Sequence, residues 1–137
     1  SERCIKRPKA DKVAHIAERQ NKIAAEAAKQ CGRSVIPKVE LPMTFSEMLS
    51  SASQKGLVIF CYEGSGTRSL KEILDSFPDA PESISVIVGS EGGFSEKEAD
   101  AARAAGCEMT GLGPRILRCE TAPLCALSAV MYHIGEF

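Results

Sequence analysis

Apolar positions along this chain follow two regimes. Between Asp11 and Cys31, the residues Val13, Ile16, Ile23, Ala24, Ala27 and Cys31 recur at helical spacing and Gly32 supplies a stop, which predicts one long helix. Ser34 to Met43 carries two prolines and predicts an irregular or briefly extended stretch. Thr44-Phe-Ser-Glu47 has the spacing of a capping box and predicts a short helix running to about Ser51.

From Leu57 onward, short apolar runs alternate with helical patterns. Leu57–Tyr62 (LVIFCY) predicts a buried strand, followed by the turn Glu63-Gly-Ser-Gly66 and a helix from about Thr67 to Ser76. Ile84–Val88 (ISVIV) predicts a second strand, and Gly89–Ser95 a turn. Ser95-Glu-Lys-Glu98 predicts a capped helix that closes at Gly106. Glu108–Leu112 is a weaker third strand, and Ala122 to Ile134 a final apolar helix. This alternation predicts an α/β fold, a parallel sheet flanked by helices. No repeat, low-complexity tract or linker interrupts it. One domain spanning residues 1–137, with 44% hydrophobic content to build its core, is the expectation.

Charge narrows the partners only a little. The formal net charge is −1, so bulk charge gives no reason to expect nucleic-acid binding, and local patches must carry any such case. Arg3, Lys6, Arg7, Lys9 and Lys12 face only Glu2 and Asp11, a run that reads first as a solvated terminus. The six cysteines are scattered without a Cys-x-x-Cys pair, and the two histidines, His15 and His133, stand far apart. Reduced thiols in a cytoplasmic protein without a metal site are the expectation. No apolar segment has the length of a membrane span, and no secretory signal opens the chain.

In open parallel sheets, ligands bind outside the carboxyl ends of the strands. All three strand exits carry glycine: Gly64 and Gly66, then Gly89, Gly92 and Gly93, then Gly111 and Gly113. A small-molecule crevice is therefore the leading expectation, although each turn alone is what turns ordinarily use. Gly64-Ser-Gly-Thr-Arg-Ser69 nearly matches a dinucleotide fingerprint but has Ser69 in place of the third glycine, and no phosphate-loop Gly-Lys-Ser/Thr occurs. The third exit is the most unusual, with Arg115, Arg118 and Glu120 within six residues. The arginines suit phosphate or carboxylate, or else Glu120 pairs with one of them and fixes the loop. Thr121 is placed to cap the final helix, and Glu91 is a helix-dipole partner or a ligand contact. Glu26, Gln30 and Arg33 share one helix face, by default a solvated one.

VGSEGGFSEKE followed by LGPRILRCETA resembles the RsmE family of SPOUT-class methyltransferases, with EAAKQCGR (Glu26–Arg33) similar to its helix-end motif and Tyr62-Glu63 to its first loop. The resemblance covers essentially the whole chain. It implies a SPOUT-type fold with a C-terminal deep trefoil knot, a homodimer, and S-adenosyl-L-methionine as cofactor. The activity it implies is methylation of N3 of a uridine in small-subunit ribosomal RNA. It assigns Tyr62, Glu63, Val88, Gly89, Glu91, Gly92, Leu112, Gly113, Ile116, Leu117 and Thr121 to cofactor binding, and Arg33, Arg115, Arg118 and Glu120 to the RNA side or the reacting uridine. Ser90 stands where the family usually has proline. The chain also reads as a fragment without the family's N-terminal PUA-like RNA-binding domain or the first strand and helix of the catalytic domain, from which methylation by this piece alone is not expected. Alternatives from other classes are an RNA-associated module that no longer catalyses, a methyltransferase acting on another RNA base, and, last, a Rossmann-type oxidoreductase resting on Gly64–Ser69.

Overall fold

In the computed structural model, residues 1–4, 10–54, 56–77 and 81–136 are described. In chain order the elements are α1 (Ala10–Gln30), α2 (Phe45–Ser53), β1 (Leu57–Cys61), β2 (Arg68–Ser69), α3 (Leu70–Asp75), β3 (Ile84–Ile87), α4 (Glu96–Ala104), β4 (Glu108–Gly111) and α5 (Ala122–His133). They form two compact units, one of Ser1–Ile5 with Phe45–Phe137 and one of Lys6–Thr44.

The larger unit is built on a parallel sheet of order β2-β4-β1-β3. Its central strand β1 is apolar throughout because both of its faces are covered. Val58 and Phe60 point into one core cluster with Leu49 of α2, Phe94, and Ala99 and Ala102 of α4. Leu57 and Ile59 point into the other, with Leu70, Ile73 and Leu74 of α3 and Val130 of α5. Phe60 and Phe94 lie with ring centroids 4.3 Å apart, and Phe45 meets Phe60 edge-on at 6.3 Å. Fixing β1 this firmly fixes where it ends, at the turn after Cys61.

Two local expectations need correction. The helix expected from Thr67 starts at Leu70, because Arg68 and Ser69 pair with Thr110 and Gly111 of β4 as a two-residue strand. Both strand residues are exposed and polar, so no apolar signal marks them. Ser69 then caps α3 in a reciprocal box with Glu72, a Ser-x-x-Glu signature present in the sequence. Thr121, expected to cap α5, makes no side-chain cap bond and already has helical backbone angles (φ −90°, ψ −37°). The reason is local: Arg118 O accepts from both Thr121 and Ala122 N–H groups, and Pro123 has no N–H to satisfy.

The capping box expected at Ser95 is present and carries more than a cap. Glu98 Oε2 accepts from Ser95 N at 2.9 Å, and Ser95 Oγ accepts from Glu98 N at 3.2 Å. Oε1 of the same carboxylate accepts from Glu2 N at 2.8 Å, and Ser1 Oγ donates to Gly93 O at 2.8 Å. Residues 1–4 are thereby pinned beside the loop after β3. Glu98 is only 4% exposed. Burial pushes its carboxyl upward, but the N–H groups of Ser95 and Glu2 outweigh that and hold it below the usual glutamate value.

In the smaller unit, α1 ends where Gly32 was expected to stop it, in a Schellman motif: Arg33 N donates to Ala28 O at 2.9 Å and Gly32 N to Lys29 O at 3.3 Å. The covered face differs from the expected stripe. Ile16, Ile23, Ala27 and Cys31 are exposed, whereas Ala17 and Ala28 are buried and Val13, Asn21 and Ala24 half-buried. Asn21 accounts for the rotation. Its Oδ1 accepts from Val39 N at 2.9 Å while its Nδ2 donates to Val39 O at 2.8 Å, so the extended segment lies along the face that carries Asn21.

Replacing Glu98 with alanine removes one side of the cap and strands the Glu2 N–H, and is expected to destabilise the protein by about 2 kcal/mol in urea unfolding. Because the folded carboxyl titrates below the ordinary glutamate value of 4.5, its contribution is present above pH 4.5 and is lost as pH falls below it. Wild type is therefore expected to lose more stability on acidification than Glu98→Gln, and equal losses would contradict this account.

Candidate functional site

Because every strand of the sheet runs the same way, the turns after β1, β3 and β4 leave from one edge. They enclose a cavity of about 820 Å³, within the range of small-molecule sites. Cys61 to Gly64 form one wall, Val88 to Phe94 a second, and Leu112 to Cys119 with Glu120 and Ala122 a third. Arg3 and Thr110 complete the lining. Of the residues singled out in the sequence, Tyr62, Glu63, Val88, Gly89, Glu91, Gly92, Leu112, Gly113, Arg115, Ile116, Leu117, Arg118 and Glu120 all line this one cavity. Thr121 is exposed and does not line it. Arg33 belongs to the other unit, where its side chain is exposed just after the end of α1.

Arg3, Arg115 and Arg118 share the wall with Glu63, Glu91 and Glu120. The sequence left open whether Glu120 ties down an arginine. It does not: its Oε2 accepts from Cys119 Sγ at 3.3 Å. Its own backbone N–H, then the Cys119 thiol, hold its carboxyl below the usual glutamate range. Arg115 and Arg118 have no ion-pair partner among the described residues, so both guanidinium forks remain available to an anionic or oxygen-rich ligand.

The cavity thiols are held protonated. Burial, with Cys125 nearby, pushes Cys61 up to about 11, and the hydrogen bond to Glu120, with burial and Glu91, raises Cys119. Neither thiol is bridged. Among the described residues no cluster of three or more His, Cys, Asp or Glu is placed to hold a metal ion. Among them, too, no helix is long and apolar enough to cross a membrane.

Two lining residues outside the expected set change the character of the wall. Arg3 was read with a solvated basic run, of which Lys6, Arg7 and Lys9 lie outside the described residues and Lys12 is exposed. The Glu2–Glu98 and Ser1–Gly93 bonds, spanning more than 90 residues of chain, carry Arg3 to the cavity instead. Gly92 accepts this neighbour because it has no side chain: a Cβ there would lie 2.7 Å from Arg3 O. Ser90 is the second. Its Oγ is shut off from solvent and lacks any hydrogen-bond partner among the described residues, an unmade bond in a cavity wall.

Comparison with known proteins agrees with this architecture. Residues 1–131 match the family model of an RNA methyltransferase domain. The chain is 38% identical over 120 residues to the ribosomal RNA small subunit methyltransferase E of Bacillus subtilis, covering 85% of this chain and 46% of that protein. It is 33% identical over 131 residues to the enzyme of the same name from Synechocystis, covering 95% and 42%. Thus it spans less than half the length of these relatives. Among solved structures, the Neisseria gonorrhoeae ribosomal RNA small subunit methyltransferase E bound to S-adenosyl methionine superposes with a TM-score of 0.78 at 32% identity, over 96% of this chain and 52% of that one. A Legionella pneumophila protein solved in complex with the same cofactor superposes with a TM-score of 0.85 at 30% identity, over 96% and 52%.

If the Ser90 hydroxyl is an unmade bond in the free protein, Ser90→Ala is expected to raise stability by about 1 kcal/mol, read as a higher urea midpoint at unchanged slope. A lower midpoint would mean that the hydroxyl is already satisfied.

A parallel α/β sheet, loops from three adjacent strand ends lining one cavity, and relatives of one name matched over most of this chain lead to one assignment: the chain belongs to the RsmE family of RNA methyltransferases.

Proposed function

We propose that this chain is the cofactor-binding part of a methyltransferase that transfers the methyl group of S-adenosyl-L-methionine to N3 of a uridine in small-subunit ribosomal RNA. The observation that carries the reading is the convergence of three strand-exit loops on one cavity with two unpaired arginines in its wall. The residues fit the cofactor. Backbone groups of Val88, Gly89, Glu91 and Gly92, with the orphaned Ser90 hydroxyl between them, offer polar partners to an adenosine-like group. Leu112, Gly113, Ile116 and Leu117 supply apolar surface for a flat ring, and Tyr62 and Glu63 bound the remaining wall. Thr121 joins this set by resemblance. When bound, the cofactor supplies an electrophilic methyl on a sulfonium.

This chain's own contribution is orientation and charge. Uridine N3 carries a proton that must leave, and the anion so formed needs positive charge beside it. Arg115 and Arg118 are free to provide that charge, and Arg33 joins them by resemblance. Glu120, held ionised, borders the same place. No histidine lines the cavity, so alignment and electrostatic stabilisation carry the rate in this reading.

The reading brings further proposals with it. Both compact units belong to one methyltransferase domain, residues 1–137. The loops at 88–94 and 112–122 form a trefoil knot, which their meeting at one cavity supports. The protein acts as a homodimer in the cytoplasm, bound to small-subunit RNA. The exposed Leu124, Leu127 and Tyr132 of α5 support the dimer.

Arg33→Ala, Arg115→Ala and Arg118→Ala are each expected to lower methyl transfer to unmethylated small ribosomal subunits on the order of 10²-fold. Cofactor affinity, titrated calorimetrically on this chain, is expected to move far less. Wild-type turnover in all three variants would sink the role given to the arginines. A mapped product other than N3-methyluridine would sink the substrate assignment.

A further inference from the structure

Arg103 stands in the last turn of α4, outside the cavity lining, where a basic residue ordinarily needs no more explanation than the helix dipole. Its guanidinium is nevertheless committed on three sides. Nη1 donates to Asp100 Oδ1 at 2.8 Å on the same helix, and Nη2 donates to Ser65 O at 2.9 Å. The carbon between them sits over the Tyr62 ring, 5.6 Å from its centroid. Tyr62 and Gly64 line the cavity, and Ser65 is the next residue of the same turn.

That turn has little else to hold it. Residues 63–66 are exposed, and among the described residues no other side chain hydrogen-bonds them. The Tyr62 ring lies against Gly64, so close that a Cβ there would be 2.3 Å from Cε1. Ring and turn therefore move together. The one planar cation that caps the ring also grips the turn's carbonyl, and Asp100 sets the plane of that cation.

We propose that Arg103 is a positioning residue: through Tyr62 and Ser65 it holds the 62–66 turn in the shape that closes the first wall of the cofactor cavity. The inference rests on the cofactor reading above. Arg103 touches no reacting atom in it. It removes freedom that the turn would otherwise lose on binding, so its loss appears as weaker cofactor affinity.

The test needs no turnover. In titrations of S-adenosyl-L-methionine into this chain, Arg103→Ala is expected to weaken binding roughly fivefold to tenfold, with the urea midpoint close to wild type. Arg103→Lys keeps a cation and one donor but not the fork, and is expected to fall between the two. The unliganded protein gives a second readout. The chain has two tyrosines and no tryptophan, so in a Tyr132→Phe background emission reports Tyr62 alone. Acrylamide quenching of that emission is expected to rise about twofold with Arg103→Ala. Wild-type affinity and quenching in Arg103→Ala would overturn the inference while leaving the cofactor reading intact. A wild-type chain that takes up no S-adenosyl-L-methionine would overturn the cofactor reading, and this inference with it. Should Arg103→Ala unfold, Arg103→Lys decides, and wild-type affinity and quenching there would overturn the inference.

Discussion

Everything at the candidate site depends on the parallel alignment of β1 with both neighbours. A parallel strand cannot be joined to the next by a hairpin, so each must leave the sheet, cross a helix and re-enter from the opposite end. The turns that follow β1, β3 and β4 are thus forced to the same edge. The burial of β1 on both faces makes that edge rigid: Ile59 and Phe60 are fully buried, and Leu57 and Val58 nearly so. The loops themselves are exposed to half-buried along most of their length and rich in glycine. Precision at the cavity comes from the sheet beneath, while chemical identity comes from the loop residues.

The second organising element is electrostatic. One buried carboxylate, Glu98, closes the N-terminus of α4 and accepts the backbone of Glu2. It ties residues 1–4 to the loop after β3 and to α4, which follows that loop directly. Together with the Ser1–Gly93 bond, this coupling brings Arg3 to the cavity wall. A substitution at position 98, which does not itself line the cavity, therefore acts on the charge balance inside it.

Much of this architecture was legible from the residues. The strands at Leu57, Ile84 and Glu108 stand where short apolar runs put them, and the Ser95 box forms as its spacing demands. What escaped was structure made by long-range or polar contacts. Arg68–Ser69 pairs as a strand only because β4 lies beside it, and no apolar residue advertises that. The stripe on α1 was misplaced because a polar side chain, Asn21, decides which face is covered. The glycine-bearing strand exits do meet at one cavity. The free state of Arg115 and Arg118 could not be read from sequence, since Glu120 is near enough to pair with either. The places of Arg3 and Arg103 could not be read because they exist only once distant segments meet, and Ser90 was noted only as a departure from the usual proline.

The third loop carries a thermodynamic consequence. Ile116 lines the cavity yet is 77% exposed, so the free protein holds an aliphatic side chain in water at the mouth of its own pocket. A ligand that draws this side chain inward removes apolar surface from solvent, and the heat capacity of the system falls as it does so. The enthalpy of association then grows more negative on warming, while the affinity changes much less because entropy moves against it. One exposed isoleucine thus links how the loop closes to how binding responds to temperature.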